Sequence, residues 1–255
     1  NQPENSIVYS HNEAKKLIKK LDFPVVIRPS YVLGGRAMRI VYNSDELNDY
    51  FKSEITRPNS AILIDKFLND AKEIDVDAIS DGKNVFIAGI LEHIEEAGIH
   101  SGDSACSFPP QTMSKQLINY INNTTTKIAK KLRVKGCINI QFAIKENKVF
   151  LIEVNPRASR TVPFIAKSIG KPLAKIATKA MLGKSLNKTK LENNIKTRVS
   201  VKESVFPFDR FPGEDTVLGP EMKSTGEVMG IDSSFPMAFI KSQIASNNNL
   251  PNKGN

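Results

Sequence analysis

Apolar and polar positions alternate most regularly along residues 136–157. Ile138, Ile140, Phe142 and Ile144 occupy even positions between Asn139, Gln141 and Ala143, the period of two that predicts a strand. Beyond the polar Glu146-Asn147-Lys148, a second run puts Phe150, Ile152 and Val154 at even positions and Glu153 and Asn155 at odd ones. Together the runs predict a β-hairpin. A two-residue turn on Glu146-Asn147 sets Gln141 against Ile152 and mixes the faces. A three-residue loop of 146–148 sets Gln141 against Glu153 and Asn139 against Asn155. The three-residue loop is the expectation, because it gathers the large apolar residues, other than Val149 and Leu151, on one face.

Elsewhere the period lengthens to that of a helix. Ala14, Leu17, Ile18 and Leu21 predict a helix over His11–Leu21, and Leu117, Ile118, Ile121, Ile128, Ala129 and Leu132 predict one from Thr112 to about Arg133. Ser44 is read as the cap of a helix reaching about Glu54, with Asp45 and Glu46 in its first turn. Two more helices follow residue 157, stopped by Gly170 and Gly183. Strands are expected at 23–28, 39–42, 61–65, 72–79, 84–91 and 196–206, with an Asp81-Gly82 hairpin turn. In 72–79 the acids Glu73, Asp75 and Asp77 share a face, as a solvated edge or as groups for a sugar hydroxyl and cations. Residues 1–10, 56–60, 184–196 and 207–236 carry little pattern, and 247–255 read as a disordered linker.

Composition narrows the class. A 40% hydrophobic and 25% charged content is that of an ordinary globular chain, long enough for one large domain or two lobes. No apolar run is long enough to span a bilayer, and no signal peptide is expected. Cys106 and Cys137 lack metal spacing and read as buried thiols of a reducing compartment, which makes the cytoplasm the expectation. The net charge of +9 is compatible with nucleic acid, but the lysines are dispersed and Trp is absent. Neither nucleic acid nor membrane is an expected partner.

The candidate chemistry sits where the hairpin ends. Gln141, Glu153 and Asn155 crowd one face beside Arg157, a set of hard oxygen donors with little formal charge that suits Mg²⁺ shared with phosphates. Gly34-Gly35, flanked by Arg28 and Arg36, reads as a tip whose N–H groups can approach a phosphate, although no Walker A sequence is present. Residues 92–104 read as a ligand-lining loop. His93 and His100 lack the third ligand a zinc site needs.

Several stretches together resemble one family: Arg28-Pro-Ser-Tyr-Val-Leu-Gly-Gly-Arg-Ala-Met38, Glu92-His93, Gly98-Ile-His-Ser-Gly-Asp-Ser-Ala105, Asn139-Ile-Gln-Phe142, Ile152-Glu-Val-Asn-Pro-Arg157 and Ser224-Thr-Gly-Glu-Val-Met-Gly230. The chain resembles the large subunit of carbamoyl-phosphate synthase, in its second, carbamate-phosphorylating half. The resemblance implies an α+β, ATP-grasp fold, with two lobes of mainly antiparallel sheet flanked by helices and the nucleotide between them. The expected lobes are 1–92, with the glycine-rich loop 30–38, and 93–195, with the hairpin 137–157. A trailing segment 196–245 and a linker 246–255 follow.

The resemblance also implies roles. Arg28 would contact the nucleotide phosphates and Gly34 and Gly35 would close over them. Lys66 and Leu68 would lie at the adenine, Glu73 at the ribose, and Gly98, Ile99, His100 and Ser101 along the pocket. Gln141, Glu153 and Asn155 would hold two Mg²⁺ or Mn²⁺ ions, Glu153 bridging them. Arg157 and Arg160 would bind carbamate or stabilise the transferring phosphoryl group. The family's K⁺ would lie near Glu73, His93 and Ser104. The expected partners are ATP, carbamate, the glutaminase small subunit and the rest of the large subunit, in a ligase serving arginine and pyrimidine biosynthesis. The family's first half and regulatory domain lie outside this sequence, so a fragment is the expectation. Another ATP-grasp carboxylate–amine ligase, or a nucleotide-binding module inactive in isolation, remains an alternative.

Overall fold

The computed structural model describes residues 1–30, 35–52, 60–186, 191, 198–210, 212–213, 215–248 and 251. Gly34, the helix end near Glu54, loop residues 56–59, most of the 184–196 linker and most of the 247–255 tail lie outside them.

Four short strands make the first sheet: β1 (Asn5–Val8), β2 (Val25–Pro29), β3 (Arg39–Val41) and β4 (Ile62–Lys66), in the antiparallel order β1-β4-β2-β3. Its helices are α1 (His11–Leu21) and α2 (Ser44–Lys52). Ala14, Ile18, Leu21, Leu47 and Tyr50 on these helices pack with Val25, Ile27, Val41, Ile62 and Ile64 of the strands. At the start of α1 the Ser10 hydroxyl accepts from Glu13 N–H and the Glu13 carboxylate accepts from Tyr9 N–H, a reciprocal cap that satisfies one first-turn donor and fixes the chain's entry. In α2 the capping side chain is Asn43, not Ser44: its Oδ1 accepts from the N–H groups of Asp45 and Glu46.

Seven strands make the second sheet: β5 (Lys72–Asp81), β6 (Val85–Glu96), β7 (Cys106–Phe108), β8 (Lys135–Lys145), β9 (Lys148–Asn155), β10 (Val199–Val205) and β11 (Gly226–Asp232). Their order is β11-β10-β7-β6-β5-β8-β9, every pairing antiparallel. One face packs on α3 (Lys115–Lys131) through Ile74, Val76, Ile138, Ile140, Phe142 and Ile121. The other packs on α4 (Thr161–Ile169) and α5 (Leu173–Met181) through Ile79, Leu91, Phe164, Ile165 and Leu173. The sheets change over at residues 67–71, and residue 92 lies within β6. Residues 199–245 supply β10 and β11 to the same second sheet, and α6 (Phe235–Ala245), which packs on those two strands.

Three further expectations change. The β8–β9 turn has two residues, Glu146 and Asn147, with φ of 51° and 61°, the type I′ turn that matches strand twist. The expected pairs Gln141–Glu153 and Asn139–Asn155 still form, because the ladder skips from Leu151 to Glu153 and bulges at Ile152. Val149 therefore joins the α3 core with Leu151 beside it, and Ile152 turns to the opposite face. Second, residues 92–96 continue β6, and the loop begins only at Ala97. Third, β5 is an interior strand, so of the two readings of its acids the solvated edge falls away: Asp75 and Asp77 are buried. β1, β7, β11 and α6 had no legible pattern; β1 and β7 are very short, and α6 is apolar around most of its circumference.

Candidate functional site

A cavity of about 590 Å³ is lined by residues of both sheets. Arg28, Gly35, Lys66, Leu68, Glu73, Gly98, Ile99, His100, Ser101, Gln141, Glu153, Asn155, Arg157 and Arg160 all line it. Gly34 lies outside the described residues. His93 and Ser104 are buried behind the lining.

Strand register builds the polar wall. Asp75 pairs with Gln141, which pairs with Glu153; Asp77 pairs with Asn139, which pairs with Asn155. Because alternate residues share a face, these two rows present carboxylates and amides on the face opposite α3. Protein groups engage the innermost acids. Asn139 Nδ2 donates to Asp75 Oδ1 at 3.3 Å and to Asp77 Oδ1 at 3.2 Å, and His93 Nε2 lies 2.9 Å from Asp75 Oδ2. Asp77 also accepts from Ser159 Oγ at 2.7 Å and from Thr161 Oγ1. That bond pair pins the turn carrying Arg157 and Arg160 against β5. Ser159 and Thr161 were not expected in the site, Asn139 was expected only as the partner of Asn155, and Asp75 and Asp77 as either a solvated edge or groups near cations. The alternating acids of β5 were the visible signal.

Burial sets the charges here. It pushes the Asp77 carboxyl up to about 6, against the bonds from Thr161 and Ser159. Asp75 is equally buried, yet hydrogen bonding and charge from His93, with Asn139, hold it below the ordinary carboxylate value. Burial also raises Glu73, opposed by His93 and by Gly98 N–H, which donates to Glu73 Oε1 at 3.1 Å. His100 is lowered by burial, and its Nδ1 accepts from Gly102 N–H at 3.0 Å, so the neutral ring carries its proton on Nε2.

Gln141, Glu153 and Asn155 are what the wall offers a cation. Among the described residues no group of three His, Cys, Asp or Glu side chains could hold a metal ion. One carboxylate between two amides is too weak a cage for zinc. It fits Mg²⁺, which keeps waters and shares itself with phosphate oxygens. His93 is bonded to Asp75 and 3.6 Å from Glu73, so the zinc alternative for the histidines lapses.

Opposite this wall, Arg28 Nε meets Asp65 Oδ2 at 2.8 Å, which holds the guanidinium on the sheet surface. Lys66 Nζ donates to the carbonyls of Asp22 and Phe23, so its ammonium ties down the α1–β2 turn. Gly98, at φ +102°, leaves no free room for a side chain: a Cβ there would lie 2.8 Å from Ile40 Cδ1 and 2.9 Å from Phe67 Cε2, and these would have to shift. Pro220 and Met222 complete the lining from a Gly- and Pro-rich segment where sequence patterning gave no signal.

Comparison with known proteins identifies the family and the fold. Residues 2–189 match the family model described as the carbamoyl-phosphate synthase L chain, ATP binding domain. The carbamoyl phosphate synthase large chain of Archaeoglobus fulgidus is 56% identical over 99% of this chain and 24% of its own length. The large chain, C-terminal section, of Aquifex aeolicus is 52% identical over the whole of this chain and 51% of its own length. The chain thus spans between a quarter and a half of these relatives. Among solved structures, the ADP complex of N5-carboxyaminoimidazole ribonucleotide synthetase superposes with a TM-score of 0.75 at 14% identity, covering 95% of this chain and 66% of the other. The biotin carboxylase domain of the Hydrogenobacter thermophilus 2-oxoglutarate carboxylase, solved with MgADP and bicarbonate, gives 0.66 at 19%, covering 82% and 48%. These likenesses show the ATP-grasp fold. With three-quarters of its residues inside one family model, the chain belongs to the carbamoyl-phosphate synthase large-chain family as an ATP-binding domain.

Proposed function

We propose that this domain phosphorylates carbamate with ATP, as a carbamate-phosphorylating unit of a larger ligase. One observation carries the reading: the bulge at Ile152 puts Glu153 opposite Gln141, and with Asn155, Arg157 and Arg160 they line the same cavity as Arg28 and Gly35. A match of 52% identity over the whole of this chain to a relative's C-terminal section supports the second half of the large chain as its counterpart.

The roles follow from placement. The backbone around Leu68 receives the adenine, Glu73 the ribose hydroxyls, and Arg28 with the Gly35 tip the phosphates. A carbamate oxygen attacks the γ-phosphorus as the bond to the bridging β-oxygen breaks, giving carbamoyl phosphate and ADP. Arg157 and Arg160 orient the carbamate and offset charge on the equatorial oxygens, so no protein nucleophile is required. Gln141, Glu153 and Asn155 would hold Mg²⁺ or Mn²⁺, which supplies charge neutralisation on the phosphates when bound. Glu73 and the unpartnered buried hydroxyl of Ser104 suit a monovalent cation such as K⁺; the His93 ring, charged and bonded to Asp75, is not a ligand for it. The rest of the large chain and a glutaminase subunit would supply the carbamate, in the cytoplasm.

The test is the reverse reaction on this chain alone. Mg²⁺-dependent ATP formation from ADP and carbamoyl phosphate is expected. An amide product from a carboxylate and an amine, with no ATP formed from carbamoyl phosphate, would assign a different ligase.

A further inference from the structure

Residues 215–224 form a strap along the cavity, with Pro220 and Met222 in its lining. Lys223 knits the strap to itself: its Nζ donates to the carbonyls of Asp215 at 2.6 Å and Val217 at 2.9 Å. Buried Asp103 then grips the strap's backbone. Its Oδ2 accepts from Lys223 N–H at 2.8 Å and its Oδ1 from Ser224 N–H at 2.9 Å. Two bonds reinforce the junction, Ser224 Oγ to the Gly102 carbonyl at 3.0 Å and His100 N–H to the Gly219 carbonyl at 2.8 Å. On the strap's other side a Cβ at Gly35 would overlap the Pro220 carbonyl oxygen.

We infer that Asp103 is a positioning residue for the nucleotide: it fixes the strap so that the Pro220 carbonyl backs Gly35 and holds that residue against the phosphates. Asp103 is not among the cavity's lining, so it acts through the strap and not by touching a ligand. A carboxylate suits the task because both its oxygens accept. An amide would turn a donor toward a backbone N–H and leave that group unsatisfied. The inference rests on the nucleotide reading of the cavity and adds the element that sets the position of Gly35.

The experiment is calorimetric titration of MgADP into the 255-residue chain and into Asp103→Asn, Gly35→Ala and the double variant. Asp103→Asn is expected to weaken MgADP by about tenfold, the scale of losing one charge-assisted hydrogen bond. Gly35→Ala is expected to cost at least about threefold less in the Asp103→Asn background, because a loosened strap can yield to the added methyl. A role in folding alone would not produce that coupling. If Asp103→Asn does not fold, Ser224→Ala, which removes one bond of the same junction, carries both comparisons. Unchanged affinity, or an equal Gly35→Ala penalty in both backgrounds, would overturn the inference. Absence of MgADP binding by the parent chain would instead overturn the nucleotide reading, and this inference with it.

Discussion

Gln141 on β8 and Glu153 on β9 face each other because Ile152 is bulged out of the ladder between them and the type I′ turn. The bulge also turns the Ile152 side chain into the cavity. Ile152→Ala should therefore weaken MgADP binding by up to roughly tenfold through lost apolar contact, with the metal requirement unchanged. Titration of MgADP and of Mg²⁺ dependence separates the two effects. Equal affinity would place the nucleotide elsewhere.

Asp77 anchors the turn that carries the arginines, and its burial makes stability pH-dependent. Its folded pKa, about 6, lies above the ordinary carboxylate value, so between about pH 4 and about pH 6 the native state keeps a proton the unfolded chain has released. This group's contribution is complete below that window and declines as pH rises through it. Thermal unfolding of Asp77→Asn should gain on the parent chain from about pH 4 to about pH 6 and run parallel to it above about pH 7. A constant difference across that range would contradict the burial argument.

In the proposed reading Arg157 and Arg160, which line the cavity, act on the transferring group and not on the base or ribose. Replacing either by Met should lower the rate of ATP formation from carbamoyl phosphate by about 10²- to 10³-fold and leave MgADP affinity within a few-fold. Equal losses in rate and affinity would reassign the arginine to ground-state binding.

Gly98 is a packing requirement as much as a conformational one. Gly98→Ala forces a methyl against Ile40 and Phe67 at a left-handed φ, and should cost about 1–3 kcal/mol of stability in urea unfolding. An unaltered midpoint would show that the loop relaxes freely.

The sequence made the cavity's wall legible because strand alternation and pairing fix which side chains share a face. It reached the Gln141–Glu153 pairing through a three-residue loop, whereas the molecule uses a shorter turn and a bulge. Alternation alone cannot distinguish these, since each adds one residue between the paired positions. The alternation of Glu73, Asp75 and Asp77 was visible, but their burial depended on β5 lying inside the sheet, a long-range fact. Pro220 and Met222 gave no sign, because Asp103 holds the strap across more than a hundred residues of chain. α6 was missed for a different reason: with apolar residues around most of the helix, no periodic stripe remains to be read.

The central claim is that Glu153, between the amides of Gln141 and Asn155, holds the cation that carries the nucleotide's phosphates. Electron paramagnetic resonance of Mn²⁺ in the presence of ADP measures this directly. The account predicts that the parent chain depletes the free-Mn²⁺ signal and that Glu153→Gln, folded by circular dichroism, leaves it close to that of Mn²⁺ and ADP without protein. Equal depletion by both proteins would contradict it.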